Sequence, residues 1–422
     1  MSLSHYQNEF DKMINRDYFS DAVHPMRKEA FSKFFNSGFP TNKWEDWRFT
    51  NLSKLKQEKY RISETQDAPA GDIDLSSFEI DGVDTVVIYN GHYQEALSSV
   101  PDGIQLLSGI EYLERKNWEF ETIERSPFDL LNTALMDSGT SFMVDPDTNV
   151  ETPVRILFIS NGEDSIMVNP RIHLDVGESS SVTFIEHHVG NALSFFQNAS
   201  LLATVGTNAS LDHIRIQSSS SSTQNMANLN VKQKSDSRYV FFQFTQGSEL
   251  GRTNMNVHLN GQGANCALNG LALSHNKQHL GNHIIVDHHT PHCTSSQLFK
   301  SILREKSSGV FIGRTIVQKD AQKTDANQYN KNLLLSKNAL MNSNPQLEIH
   351  ADDVRCSHGS TTGELDADAL FYLRSRCLDL ETAKSLLVRG FAAELFDTVK
   401  DENVKSFLMD CFDNWLEKSD LS

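Results

Sequence analysis

From about residue 136 to 365, short apolar runs alternate with Gly, Asn, Ser and Asp. They read RILFIS, IMVN, RIHLDV, VTFIEHHV, ASLLATV, LDHIRI, YVFFQF, NVHLN, ALNGLAL and HIIVDH. Such runs, bounded by turn-forming residues, predict strands, and their close and regular spacing predicts a region built almost wholly of them. A loose repeat underlies the pattern. LDVGESSSV, ATVGTNASL and HLNGQGANC share an apolar–turn–small–apolar form, and their glycines Gly177, Gly206 and Gly261 lie 29 and 55 residues apart. That spacing fits a period near 28 with one copy obscured. A strand-only repeat of this length suits one coil of a β-solenoid. A β-sandwich or jelly roll would share the strand density without requiring the period, so the pattern favours the solenoid.

The flanks read differently. In residues 1–135 the pattern is mixed and helical. Met26–Asn36 has apolar residues at helical spacing until Gly38 and Pro40 stop it. Trp44–Thr50 (WEDWRFT) is aromatic and charged, and Asp84–Asn90 (DTVVIYN) predicts a short strand closed by Gly91. Ser126 and Pro127 open a predicted helix as its cap and first residue. In residues 366–422 the period is helical. Asp366 or Asp368 caps a helix that runs to Arg376, and Asp379 caps a second with Leu386, Leu387, Phe391, Leu395 and Phe396 on one face. A third, Asp401–Lys418, carries Val404, Phe407, Leu408, Cys411, Phe412, Trp415 and Leu416 on one stripe. So wide a stripe needs cover, from the end of the solenoid or from a partner protein. The predicted organisation is thus 1–135 helical or mixed, 136–365 solenoid core, and 366–422 helical.

Composition narrows the function. Across 422 residues, 38 Lys and Arg face 55 Asp and Glu, a net charge of −17. So acidic a chain without a basic run is poorly suited to nucleic acid or anionic lipid. No apolar run approaches the ~18 residues of a membrane span. The polar opening MSLSHYQNEFDKMINRD predicts no secretory signal. Five cysteines, widely spaced and without CxxC, predict a reduced, cytoplasmic chain. They also exclude a zinc ribbon or an iron–sulfur site made of four cysteines from one cluster of sequence.

Two stretches carry candidate chemistry. DHHTPHC (Asp287–Cys293) is rich in metal ligands, but His288 and His289 point to opposite faces of an extended chain. The alternative is a strand end and turn. His275, His279 and His283 are spaced by four, yet they fall in a strand region, where that spacing gathers nothing. DDVRCSHGS (Asp352–Ser360) places Cys356 and His358 at i and i+2. On a strand they share a face, with Cα atoms ~6.5–7 Å apart. That separation strains a nucleophile–base dyad but suits two ligands facing one ion or one partner. A neighbouring imidazole could also lower the thiol pKa. Ordinary, satisfied strand residues remain the alternative reading. No GxSxG, HExxH, Walker A or GxGxxG sequence sits in a matching context, so the chain is not expected to be an enzyme. The competing class is a solenoid hydrolase or lyase acting on polysaccharide.

The run from Phe299 to Glu394 holds FIGR (311–314), AQKTDA (321–326), NLLLS (332–336), PQLEI (345–349), DDV (352–354), CSHG (356–359), FYLRSR (371–376) and GFAAE (390–394). Dense and ordered, it resembles the SufB/SufD family of iron–sulfur cluster assembly proteins, and WEDWRFT resembles the family's N-terminal signature. Within the family the chain is similar to the SufD branch. It has CSHGS where the SufB branch reads like EHEAT, and no cysteine follows its NLLLS strand. Cys377 departs from the glycine usual after FYLRSR. The resemblance implies a right-handed parallel β-helix between helical domains and a scaffold role without catalysis. It implies pairing with a SufB-like paralogue through the β-helices, and binding of a SufC-like ABC-type ATPase through the C-terminal helices, where Phe391 and Leu395 are the candidate docking residues. A homodimer of the isolated chain is also allowed. Cys356 and His358 match positions implicated at the interface between the paralogues. There they would contribute to a site for iron or a nascent cluster, transient and shared with the partner, with no cofactor held tightly by this chain alone.

Overall fold

The computed structural model describes residues 3–15, 23–69, 73–116, 126–136 and 139–417. Two parallel sheets, stacked face to face, run through its centre. One orders the strands Leu340–Ile349, Ser308–Val317, His279–His288, Leu250–Leu259, Gln224–Gln233, Phe195–Val205 and Arg171–Val176 side by side. The other orders Arg355–Gly363, Asp325–Leu334, Thr294–Leu303, Asn265–Ser274, Arg238–Gly247, Ser210–Ser219 and Ser181–Gly190. The chain alternates between the sheets, so each strand pairs in parallel with the strand two before it. The partners stand one coil apart, from 26 residues (Gln224 opposite Leu250) to 32 (Ser308 opposite Leu340). This is the β-solenoid that the repeat predicted. Val205 and Gln233 pair, as do Gln233 and Leu259, so Gly206 is followed in the repeat by Lys234 and then by Asn260, one residue before Gly261.

The coils turn on residues with left-handed backbone. Ser179, Asn208, Asp236, Gly263, His292 and Lys323 occupy one corner in successive coils, with φ between 54° and 75°. Short polar residues and glycine tolerate this region best, which is why Asn, Asp, Ser and Gly punctuate the apolar runs.

Between the sheets lies a core of inward rows, including Phe184, Leu211, Tyr239, Phe241, Leu268, Leu201, Leu229, Val257, Ile284 and Val286. The outer faces are covered too. Helices α1 (Ser4–Ile14), α2 (His24–Ser37), α3 (Ser53–Gln57), α4 (Gly109–Arg115) and α5 (Pro127–Leu135) belong to the N-terminal part. Its apolar residues, with Trp47 and Phe128 among them, pack on Met167, Phe196, Met226 and Leu250 of the first sheet. WEDWRFT is the clasp. Trp47 lies under the Arg252 guanidinium at 3.8 Å, and Thr50 accepts from Arg252 Nη1 at 3.2 Å. Asp46 reaches His283 at 3.6 Å and Arg314 at 3.9 Å. The four-residue histidine spacing thus serves an interdomain contact. His279, which meets Thr50 at 3.3 Å, and His283 are both pushed down to about 4, chiefly by burial.

The predicted boundary at 135 cuts a continuous structure. Asp84–Tyr89 pairs in parallel with Val154–Ser160, and Ile104–Ser108 pairs antiparallel with Thr140–Val144. The first coils of the solenoid are therefore finished by N-terminal strands, some of them short and antiparallel.

The C-terminal part comprises α6 (Ala367–Ser375), α7 (Leu380–Phe396) and α8 (Glu402–Glu417). Asp366 and Asp379 cap α6 and α7 by accepting backbone N–H groups, as their positions predicted. Lys418, the predicted end of the last helix, lies outside the described residues. Cys377 adopts φ 70°, the left-handed conformation that makes glycine the preferred residue after a helix. The stripe on α8 is as read, with Val404, Leu408, Phe412, Trp415 and Leu416 buried. The face of α7 differs. Its buried residues are Ala383, Val388, Ala392, Leu395 and Phe396, while Leu386 is 45% exposed. Small residues let this face lie close to the sheet. The tail does not sit on the end of the solenoid. It packs along the flank of the second sheet, against Ile214, Phe242, Phe244, Leu271, Leu273 and Ile302.

Candidate functional site

Cys356 and His358 lie on Arg355–Gly363, the last strand of the second sheet. Its partner is Asp325–Leu334, with Cys356 opposite Ala326 and His358 opposite Gln328. Both partners belong to inward rows. One row runs Tyr239, Cys266, Ser295, Ala326, Cys356, and the next runs Phe241, Leu268, Gln297, Gln328, His358. The two residues share a face, as the i, i+2 spacing required, and the register decides that it is the face of the interior. The rows change character along the axis. Phe241 and Leu268 give way to Gln297 and Gln328, then to the imidazole.

The glutamines are linked. Gln328 Nε2 donates to Gln297 Oε1 at 3.2 Å, and Gln297 Nε2 donates to Thr315 Oγ1 at 3.2 Å. Gln328 Oε1, one strand below His358, is buried and has no hydrogen-bond partner among the described residues. Gly313 of the FIGR motif makes room for this pair, because a Cβ there would stand 2.2 Å from Gln328 Nε2. Glycine in a strand interior here marks a close approach of a side chain.

Among the described residues the last coil has no neighbour above it. Leu340–Ile349 ends one sheet and Arg355–Gly363 ends the other, and among the described residues no strand pairs with their outer edges. His358 is exposed and Cys356 half-buried for this reason. On the same coil Leu340 is 56% exposed and Ile349 42%, and Tyr329, on the neighbouring strand opposite Gly359, is 45% exposed. Open strand edges and exposed apolar residues thus occur together at this end, and unpaired edges of this kind can template further strands.

The Cys356 thiol is raised, first by burial and then by the Asp325 carboxylate, with the Ala326 backbone partly opposing them. The thiol is therefore protonated at neutral pH, and the thiolate activation by His358 considered from the sequence is not what sets it. Metal coordination or a change of surroundings at an interface would be needed to ionise it. The other cysteines are differently placed. Cys266 and Cys293 are buried inside the solenoid, burial pushes Cys411 up to about 12 against α8's packing face, and Cys377 is exposed at the turn after α6.

The docking candidates on α7 have structural work. Leu395 is fully buried against the sheet and lies between tail and solenoid, not on an outer face. Phe391 is half-buried beneath Lys300, whose ammonium stands 4.9 Å from the ring and donates to the Phe391 carbonyl at 2.6 Å. Lys300 also pairs with Glu394, which Lys331 reaches at 3.2 Å. The GFAAE motif is thus a clamp: Ala392 allows close packing and Glu394 anchors two lysines. The exposed aromatic surface is on α6, which buries none of its residues, and where Phe371 is 75% and Tyr372 56% exposed.

DHHTPHC does not assemble as a unit. His288 points inward and bonds Ser295 Oγ at 2.9 Å, His292 occupies a left-handed corner, and Cys293 Sγ donates to the Gly261 carbonyl at 3.3 Å. Sequence reasoning also passed over a charged group inside the solenoid. Glu186 accepts from His213 Nε2 at 2.8 Å and lies 3.3 Å from His188 Nε2 and 3.8 Å from Arg215 Nε. Burial alone would raise the Glu186 carboxyl, but those two histidines and the Arg215 charge hold it well below the usual range. The only signal was the polar residues inside VTFIEHHV and LDHIRI.

The family description "SUF system FeS cluster assembly, SufBD core domain" matches residues 158–391, and "SufBD protein N-terminal region" matches residues 2–156. The chain belongs to the SufB/SufD family. It is similar to the iron–sulfur cluster assembly protein SufD of Escherichia coli, with 31% identity over 90% of each chain. It is also similar to an iron–sulfur cluster assembly SufBD family protein of Synechocystis, with 29% identity over 88% of this chain and 86% of the relative. A chloroplastic protein of Arabidopsis thaliana, ABCI7, shares 29% identity over 90% and 83%. The family's core description ends at residue 391 and so takes in both terminal strands, α6 and most of α7. No helix among the described residues is long and apolar enough to cross a membrane.

Proposed function

We propose that the chain is a scaffold subunit for iron–sulfur cluster assembly, without catalysis of its own, that works through the open end of its solenoid. The observation that carries this reading is the coincidence of three features on the last coil: two unpaired strand edges, exposed apolar side chains, and Cys356 and His358 at the end of the interior rows. A SufB-like solenoid presenting a matching end would pair with these edges by adding strands, which satisfies their backbone groups. One thiol and one imidazole are too few ligands for a cluster. The partner would complete the set with thiolate or carboxylate, and the cluster or iron is cargo that leaves when the halves separate.

The C-terminal part supplies the second contact. Helix α6, with Phe371 and Tyr372 uncovered, is the surface offered to a SufC-like ATPase. Its motion would move α6, and the clamp of Lys300, Lys331 and Glu394 holds the adjoining α7 to the solenoid. The test is anaerobic co-purification with both partners, followed by iron and sulfide analysis. His358→Ala is expected to retain fold and complex but lose cluster formation. Full cluster formation by that variant would overturn the assigned role.

A further inference from the structure

A separate group of metal-ligand side chains lies on the outside of the solenoid. Along Leu250–Leu259 and His279–His288, Val257, Leu259, Val286 and His288 are buried in the interior. The intervening His258 and Asp287 therefore turn outward, and the parallel register sets them opposite one another. His289, two residues beyond Asp287, leaves the strand on the same face. Its Nε2 lies 3.1 Å from Asp287 Oδ2, and its ring centre is 5.9 Å from that of His258. One ligand atom from each of the three lies within 4.8 Å of the others. Gln318 Nε2 donates to Asp287 Oδ1 at 2.9 Å and fixes the carboxylate with Oδ2 turned to the imidazole.

We propose that His258, Asp287 and His289 form an exchangeable site for a divalent transition-metal ion of the Zn²⁺ or Co²⁺ type. Two imidazoles and a carboxylate are the ligand set such ions accept, and the hydrogen-bonded carboxylate supplies the outer support they use. Ligand atoms ~2.0–2.2 Å from an ion stand ~3–3.5 Å apart, so the Asp287–His289 spacing already fits. His258 closes the remaining gap by rotation of its side chain on a backbone held by pairing on both sides. Three protein ligands leave a position for water, the arrangement of a site that exchanges. Sequence spacing could not disclose the group, because His258 joins from the coil before.

The test uses the full chain carrying Cys356→Ser and His358→Ala, so that the open end contributes no ligands. Isothermal titration with Zn²⁺ is expected to show one site. His258→Ala, Asp287→Asn and His289→Ala are each expected to weaken it at least ~100-fold. His350→Ala, which removes an exposed histidine elsewhere, leaves it intact, and far-ultraviolet circular dichroism checks the fold of each variant. Bound Co²⁺ is expected to show a visible spectrum without a thiolate charge-transfer band. Unchanged binding in the His258, Asp287 and His289 variants, no binding in the starting chain, or a thiolate band would each overturn the proposal. None of these results bears on the open-end site.

Discussion

His288 offers a quantitative check on how the solenoid interior treats charge. Its side chain is fully buried at the end of an inward row. Nε2 meets Ser295 Oγ at 2.9 Å, and Nδ1 has no partner among the described residues. Burial, with the charge of His289 adding to it, pushes its pKa from 6.5 down to about 4. The folded chain therefore keeps His288 neutral over a range where the unfolded chain takes up a proton. Its contribution to stability is complete above 6.5 and is lost as pH falls towards 4. Integrated over that range, the loss is about 2 kcal/mol by about pH 5 and about 3 kcal/mol by about pH 4. His288→Gln keeps an amide donor for Ser295 and carries no charge at any pH. The assay is urea denaturation of both proteins, followed by circular dichroism, at about pH 7.5 and about pH 5. Wild type is expected to lose about 2 kcal/mol more than the variant over that interval. His173, His187 and His188 are also buried and lowered, but they are common to both proteins and cancel in the difference. Parallel pH profiles would refute the reasoning, since they would mean that water reaches His288 or that it ionises inside the fold.

Two further perturbations test the tail. Leu395→Ala, at a fully buried position between α7 and the sheet, is expected to cost about 2–5 kcal/mol and to expose the tail to limited proteolysis. An unchanged digestion pattern would argue against the flank packing. Phe371→Asp with Tyr372→Asp, both on the uncovered α6, is expected to leave thermal stability unchanged while lowering affinity for the ATPase partner at least ~tenfold in a pull-down titration. Retained affinity would move the contact elsewhere.

Much of this architecture is written in local pattern. The apolar runs between 154 and 288 are strands, Ser126, Asp366 and Asp379 cap the helices they were read to cap, and Gly177, Gly206 and Gly261 mark one corner of the coils. These features need only neighbours along the chain: a turn residue, a capping oxygen, an alternation of two. QNMANLNVKQ (224–233) escaped the same reading because its asparagines disfavour strands in isolation. In the fold Asn228 bonds the Ala199 carbonyl at 3.4 Å and Asn254 at 3.3 Å beneath the N-terminal part, which makes them acceptable.

The sequence by itself determined that Cys356 and His358 share one face, because alternation on a strand is a local rule. It also determined that the tail has a wide apolar stripe. Which face the pair shares, and what the stripe covers, were decided by tertiary structure. Register across the coils sends Cys356 and His358 to the interior row at the open end. The outer isoleucines and phenylalanines of the second sheet pack with α7 and α8 on its flank, where both apolar surfaces leave water, and none of the described residues covers the end. The same register gathers His258 with Asp287 and His289 from two coils. Contacts made one coil apart depend on the path of the whole chain, and no spacing read along a single strand contains them.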